Sequence, residues 1–155
     1  MIRHNPAWNK DLLLMGALIL FACCALCKPL FSEEPGSVKL EPCPSSPNCI
    51  STQSNTPDKY MEPLPYAINA EESRSIIRSI IESMPRSKVV KETGIYIHVE
   101  FRSLIFRFVD DVEFLFDEEE KLIHFRSASR TGYSDFGVNR RRMHNISERY
   151  LVSIQ

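Results

Sequence analysis

The residues best suited to chemistry lie between Asp110 and Arg142. The segment Arg126-Ser127-Ala128-Ser129-Arg130-Thr131-Gly132-Tyr133-Ser134-Asp135-Phe136-Gly137-Val138-Asn139-Arg140-Arg141-Arg142 mixes hydroxyls, guanidinium groups and two glycines just ahead of a helical pattern. A polar loop entering a helix N-terminus offers free N–H groups and the positive dipole end to an anion. Arginine adds forked donors that match phosphate or carboxylate. On this ground Asp110, Arg126, Ser129, Arg130, Ser134, Asp135, Asn139 and Arg140 form the candidate ligand-binding set. A structural use is also open to them, in which Arg126, Arg130 and Arg140 satisfy Asp110, Asp111 and Asp135 inside the domain. The glycine spacing matches neither the P-loop nor the dinucleotide fingerprint. There is no Gly-x-Ser-x-Gly elbow and no His-Glu-x-x-His. Asp110 and Asp111 are neighbours on a strand pattern, where adjacent side chains point to opposite faces, so they do not converge as a catalytic pair. Catalytic residues are therefore unassigned, and no cofactor is implied.

These residues must be held by the elements around them. Asn69-Ala70-Glu71-Glu72 is a helix start, with Asn69 as N-cap, and Ile76, Ile77, Ile80, Ile81 and Met84 make one apolar stripe before Pro85 ends the helix. The period then changes to two. Ile95 to Arg102 and Leu104 to Phe116 alternate as half-buried strands, Lys88 to Thr93 precedes them and Leu122 to Ser127 follows. Short connections favour an antiparallel meander. A last helix over 138–152 presents Met143, Ile146, Tyr150 and, at the margin of the same stripe, Leu151 to the sheet. The expected fold is α+β, a four-stranded antiparallel sheet with two helices packed on one face, in the order α-β-β-β-β-α, preceded by a disulfide-pinned arm.

Asp110 breaks the pattern, because it falls in the inward register between Phe108 and Val112. A buried carboxylate needs a partner, a bulge or a wet cleft. If Phe114 faces Phe125, then Glu113 faces Arg126 and Asp110 comes opposite Ser129, which brings Arg130 within reach. The cluster then either fixes the sheet against the last helix or lines a polar pocket.

Cysteines speak to compartment. Cys43-Pro44-Ser45-Ser46-Pro47-Asn48-Cys49 can turn tightly enough for a disulfide. A redox pair would more commonly use Cys-x2-Cys. No second Cys/His pair stands at a zinc-site spacing, so no metal is implied. The other three cysteines sit in the N-terminal region, where Arg3 and Lys10 precede an uncharged run from Leu12 to Cys27. As a helix that run reaches about 24 Å, short of a bilayer's roughly 30 Å core. A positive n-region with a short apolar stretch is the layout of an export signal. Leu20-Phe21-Ala22-Cys23 resembles a lipobox, with Cys23 as the lipidated residue and Phe21 where a small residue is usual. An uncleaved anchor, or a buried helix of a soluble fold, is the alternative. The expected organisation is 1–27 as signal or anchor, 28–42 as a Pro-rich tether and 43–155 as a single domain.

The segment from Arg126 to Arg142, Asp110-Asp111-Val112-Glu113-Phe114 and the Cys-x5-Cys loop together resemble the domain of unknown function 1499 family, over about Cys43 to Leu151. The resemblance implies an exported or membrane-attached bacterial protein and brings no assigned reaction. With 19 Lys+Arg against 20 Asp+Glu, the net charge of −1 removes the simple electrostatic case for nucleic acid. The signs are nonetheless segregated, with carboxylates concentrated over Asp110 to Glu120 and arginines over Arg126 to Arg149. The leading expectation is an envelope protein outside the cytoplasm, attached by an N-terminal lipid or anchor helix. It would act as a non-enzymatic binding or accessory module for an anionic small molecule, a lipid headgroup or an envelope protein partner. The alternative is an envelope hydrolase on phosphate or ester groups, with Asp110 or Asp135 as base. A purely structural subunit of a membrane complex is the third reading.

Overall fold

The computed structural model describes residues 39–155. The expected signal or anchor at 1–27, the expected lipidation site Cys23 and most of the expected tether lie outside the described residues. Among the described residues no helix is long and apolar enough to cross a membrane.

The first helix, α1 (Ala70–Glu82), starts as its sequence requires: the Asn69 side chain accepts the N–H of Glu72 at 2.9 Å, and Glu71 and Glu72 occupy the first turn. Ile77, Ile80 and Ile81 are buried, with Ile76 and Met84 packed at the edge of the same core. Four strands follow: β3 (Ser87–Glu92), β4 (Tyr96–Arg102), β5 (Val109–Asp117) and β6 (Leu122–Ser129). The final helix is α2 (Val138–Ser153). All strand pairings are antiparallel. Phe114 faces Phe125, Glu113 faces Arg126 and Asp110 faces Ser129, the register that the alternation of apolar residues predicts. Inward side chains of β4, β5 and β6 (Ile97, Val99, Val112, Phe114, Phe116, Ile123, Phe125) meet the isoleucines of α1 and Met143, Ile146 and Tyr150 of α2 in one core, while Leu151 is exposed instead of facing the sheet.

The sheet is larger than the four strands expected. Two short strands from the Pro-rich arm, β1 (Cys49–Ser51) and β2 (Leu64–Pro65), both pair with β6, in the order β1-β6-β5-β4-β3 with β2 beside the other half of β6. They have no readable periodicity, being three and two residues long. Their physical role is to cover what would otherwise be an open edge with unpaired backbone groups. Ile50, Met61 and Leu64 add to the core at the same time.

The second departure is at Leu104 to Phe108. The alternation there continues that of β5, yet β5 begins only at Val109. With β4 ending at Arg102, a strand starting at Leu104 would leave Ser103 alone to reverse the chain, fewer than the two residues of the tightest common hairpin. The loop instead closes through Ser103 N–H to the Phe108 carbonyl at 2.9 Å and Phe108 N–H to Ser103 Oγ at 2.9 Å, with Arg107 left-handed at φ 55°.

Cys43 and Cys49 are joined in a disulfide, with their Cα atoms 5.6 Å apart. The loop it closes leads directly into β1. Replacing both cysteines with serine is expected to lower stability by about 2 kcal/mol, the chain-entropy value for so short a loop. Urea denaturation of the wild type with and without reductant, compared with the double variant, measures this. An unchanged midpoint would show that the ring adds nothing.

Candidate functional site

Beyond β6 the chain turns through Gly132 and Gly137, both at positive φ (90° and 76°), into α2. Glycine meets these conformations without the steric penalty of a Cβ. Asp135 secures the helix entry: Oδ1 accepts the N–H of Gly137 at 3.0 Å and Oδ2 that of Asn139 at 2.8 Å. The N-terminal N–H groups that would serve an anion are thus partly satisfied from within.

Below that entry lies a buried polar knot. Asn139 is fully buried. Its Oδ1 accepts from Ser127 Oγ at 2.6 Å and from Arg142 Nη1 at 2.7 Å. Its Nδ2 faces the Asn48 carbonyl at 3.0 Å, Ser129 Oγ at 3.1 Å and Asp135 Oδ2 at 2.8 Å. Asn48, also buried, donates through Nδ2 to the Gly132 carbonyl at 2.6 Å, and its own carbonyl accepts the Ser129 N–H at 3.0 Å. The disulfide loop, β6 and α2 are therefore tied at one point. Asp110 is held by Arg142, whose Nη2 lies 2.5 Å from Oδ2, and the guanidinium sits 4.7 Å over the Phe101 ring. Helical spacing explains why Arg142, and not its neighbours, takes this role. It lies three residues from Asn139 on the same helix face. Arg140 reaches instead to the carbonyls of Asp58 at 2.6 Å and Tyr60 at 3.3 Å.

The opposite face of the sheet carries a second network. Arg130 donates from Nε and Nη2 to the two oxygens of Asp111, each at 2.7 Å, and from Nη2 to Glu100 at 2.6 Å. His98 Nε2 contacts Asp111 Oδ1 at 2.7 Å. Arg126 and the Tyr96 hydroxyl both donate to Glu113, at 3.0 and 2.6 Å. Burial opposes ionisation of Asp111, but the hydrogen bonds and charge of Arg130 and His98 outweigh it and hold the carboxyl below its usual range. Hydrogen bonds from Arg130 and Arg102 do the same for Glu100. Carboxyls with folded pKa values below their unfolded ones contribute stability that is present above the unfolded values, about pH 4, and lost as pH falls through the folded ones. Arg130→Ala is expected to flatten the decline in stability on acidification, measured by urea midpoints between neutral pH and pH 3. An unaltered pH profile would contradict the coupling.

The eight sequence-derived candidates thus do not share one site. Asp110, Ser129, Asp135 and Asn139 belong to the buried knot, Arg126 and Arg130 to the other face, and Arg140 to the β1–β2 connection. Ser134 is exposed, its Oγ accepting the Phe136 N–H at 3.2 Å. The expected approach of Arg130 to Asp110 is corrected: Arg130 leaves the end of β6 on the face of Asp111, because adjacent strand residues alternate. Asn48, Ser127 and Arg142 complete the knot and are absent from the candidate set. The i, i+3 spacing of Asn139 and Arg142 is the available signal for Arg142.

One concavity adjoins the knot. A cleft of about 360 Å³ opens beside the Asp110–Arg142 pair, with Phe101 in its wall and Arg86, Arg102 and Arg141 along it. Among the described residues that line it, four guanidinium groups stand against a single carboxylate. At the far end of the sheet Asp117, Glu120 and His124 approach one another. Their geometry is that of the turn itself, since Asp117 Oδ1 accepts the N–H groups of Glu119 and Glu120 at 2.9 and 3.0 Å.

An antiparallel sheet carrying two helices, pinned at one end by a disulfide-anchored polar knot, defines a small α+β domain with an arginine-lined cleft. Residues 39–149 match the family described as "Protein of unknown function (DUF1499)", and the chain belongs to that family. No curated protein and no solved structure matches the chain.

Proposed function

We propose that this protein is a membrane-tethered, non-enzymatic module of the cell envelope that binds an anionic group in the cleft bordered by Arg86, Arg102 and Arg141. The observation that carries this reading is the charge imbalance of the cleft. Four arginines line it, and the one carboxylate among its described lining residues, Asp110, is already matched by Arg142. Arg102 shares its carboxylate partner, Glu100, with Arg130. An excess of guanidinium groups around a concave surface favours phosphate or carboxylate. The export-type pattern of residues 1–27 supports the tether. The hydrolase alternative has less behind it, since Asp110 is engaged by Arg142 and Asp135 by the backbone N–H groups of Gly137 and Asn139 at the helix entry.

Thermal unfolding of the full chain in neutral detergent, titrated with inorganic phosphate or glycerol phosphate, tests the reading. Ligand at a hundredfold excess over its Kd stabilises by about 2.7 kcal/mol. The upward shift in Tm is expected in wild type and lost in the Arg102→Ala/Arg141→Ala double variant, whose Tm without anion should stay close to that of wild type because both side chains are exposed. A full shift in the double variant would overturn the cleft as the anion site.

A further inference from the structure

We propose that the end of the sheet carrying the loop between β4 and β5 is a docking surface for an anionic lipid bilayer. Leu104, Ile105, Phe106 and Phe108 are 72%, 78%, 74% and 54% exposed within five residues, with Phe106 and Phe108 stacked on each other at 5.5 Å. A contiguous apolar tip of this kind has no role in the core and marks an interaction surface. The loop between β6 and α2 leaves the same end of the sheet, tied to the start of β5 by the Arg130 N–H to Val109 carbonyl bond at 3.0 Å. It adds Tyr133 and Phe136, 77% and 87% exposed.

Charge selects the occupant. Arg86, Arg102 and Arg107 border the depression at the base of the apolar loop, together with Lys88. Aromatic and aliphatic side chains that enter the headgroup layer, surrounded by cations that meet lipid phosphates, are the composition of an interfacial anchor. The acidic turn Asp117-Glu118-Glu119-Glu120 lies at the other end of β5, roughly 27 Å away at about 3.4 Å per residue. The domain is therefore polarised, cationic and apolar at one end and anionic at the other, and an anionic bilayer would attract the first and repel the second. This inference shares Arg86 and Arg102 with the anion-binding reading and rests on it for the headgroup contact, while the apolar loop stands apart from it.

The test uses the full chain in vesicles, with Trp8→Phe removing the only native tryptophan and Phe106→Trp placing a probe at the loop tip. Emission from the introduced indole is expected to shift to the blue and to be quenched by lipids brominated on their acyl chains when the vesicles contain phosphatidylglycerol, and not in pure phosphatidylcholine. Arg102→Ala with Arg107→Ala should lower the docked-to-undocked ratio by about thirtyfold, near fivefold for each arginine at an anionic surface. Absence of quenching in both vesicle types, or equal quenching in both, would overturn the proposal. Quenching that persists while the phosphate-induced Tm shift is absent from wild type would sink the anion cleft alone and leave the docking loop standing.

Discussion

Arg142→Ala is expected to destabilise the domain by about 3–5 kcal/mol, the range for removing one partner of a buried ion pair. The side chains of Arg142 and Asp110 are only 10% and 12% exposed, so Asp110 would be left without its counter-charge in a poorly solvated place. The loss does not end there. Arg142 Nη1 also donates to Asn139 Oδ1 and to Ser127 Oγ at 3.2 Å, and its guanidinium covers Phe101. Arg142→Lys should recover little, since an ammonium cannot serve these partners with a planar fork. The outer-face arginine provides the contrast. Arg130 has more hydrogen bonds to carboxylates, but its side chain is 43% exposed, and Arg130→Ala is expected to lose no more than about 1 kcal/mol at neutral pH. Urea denaturation of both variants, with Asp110→Asn and the Asp110→Asn/Arg142→Met pair, decides the matter. The pair should lose less than the sum of its singles. An Arg142→Ala variant within 1 kcal/mol of wild type would show that solvent reaches Asp110 freely.

The contrast between those two arginines also marks how far the fold is legible in the chain alone. Alternation from Ile95 to Phe125 dictates both strand direction and register, because a one-residue slip would turn Val112, Phe114 and Phe125 to solvent. Hence the pairing of Asp110 with Ser129 follows from apolar residues alone. The strands of the arm do not, because β1 and β2 are too short for any period and owe their conformation to the edge of β6. At Leu104 to Phe108 the alternation misleads. Leu104, Phe106 and Phe108, in strand-like spacing, read as buried, whereas the geometry of the hairpin requires a loop there.

The candidate site is legible by composition and not by partner. Segregation of carboxylates over 110–120 and arginines over 126–149 suggests mutual neutralisation, and for Asp110, Asp111 and Glu113 the arginines do pair with them. Which arginine meets which carboxylate depends on the face each leaves, and for helical residues that requires the angular position of α2 on the sheet. Sequence spacing alone brings Arg130 within reach of Asp110, yet the inward-facing Arg142 takes that place. The carboxylates from Asp117 to Glu120 stay apart from the arginine cluster at the opposite end of β5, which leaves the cleft and loop with their excess positive charge.

Asn139→Ala is expected to lower stability by about 3 kcal/mol or more, because five groups around it lose a hydrogen bond at once, each worth about 0.5–1.5 kcal/mol. The Ser127 hydroxyl and one Arg142 donor lose an acceptor, and the Asn48 carbonyl, Ser129 Oγ and Asp135 lose a donor. The Ser127 hydroxyl and the Asn48 carbonyl have little access to water, since Ser127 is fully buried and Asn48 nearly so. Asn139→Asp separates shape from hydrogen-bond polarity. It preserves the volume but turns the Nδ2 donor into an acceptor facing the Asn48 carbonyl and the Asp135 carboxylate, so its effect should equal or exceed that of alanine. Native-state hydrogen exchange gives the location. Protection should fall first at the amides of Ser129 and Asn139, where β1, β6 and the entry to α2 meet, while Val99 and Val112 in the sheet centre stay protected until global unfolding. If Asn139→Asp proves as stable as wild type, the knot is wetter than its burial implies, and the disulfide loop must hold the β6–α2 joint without it.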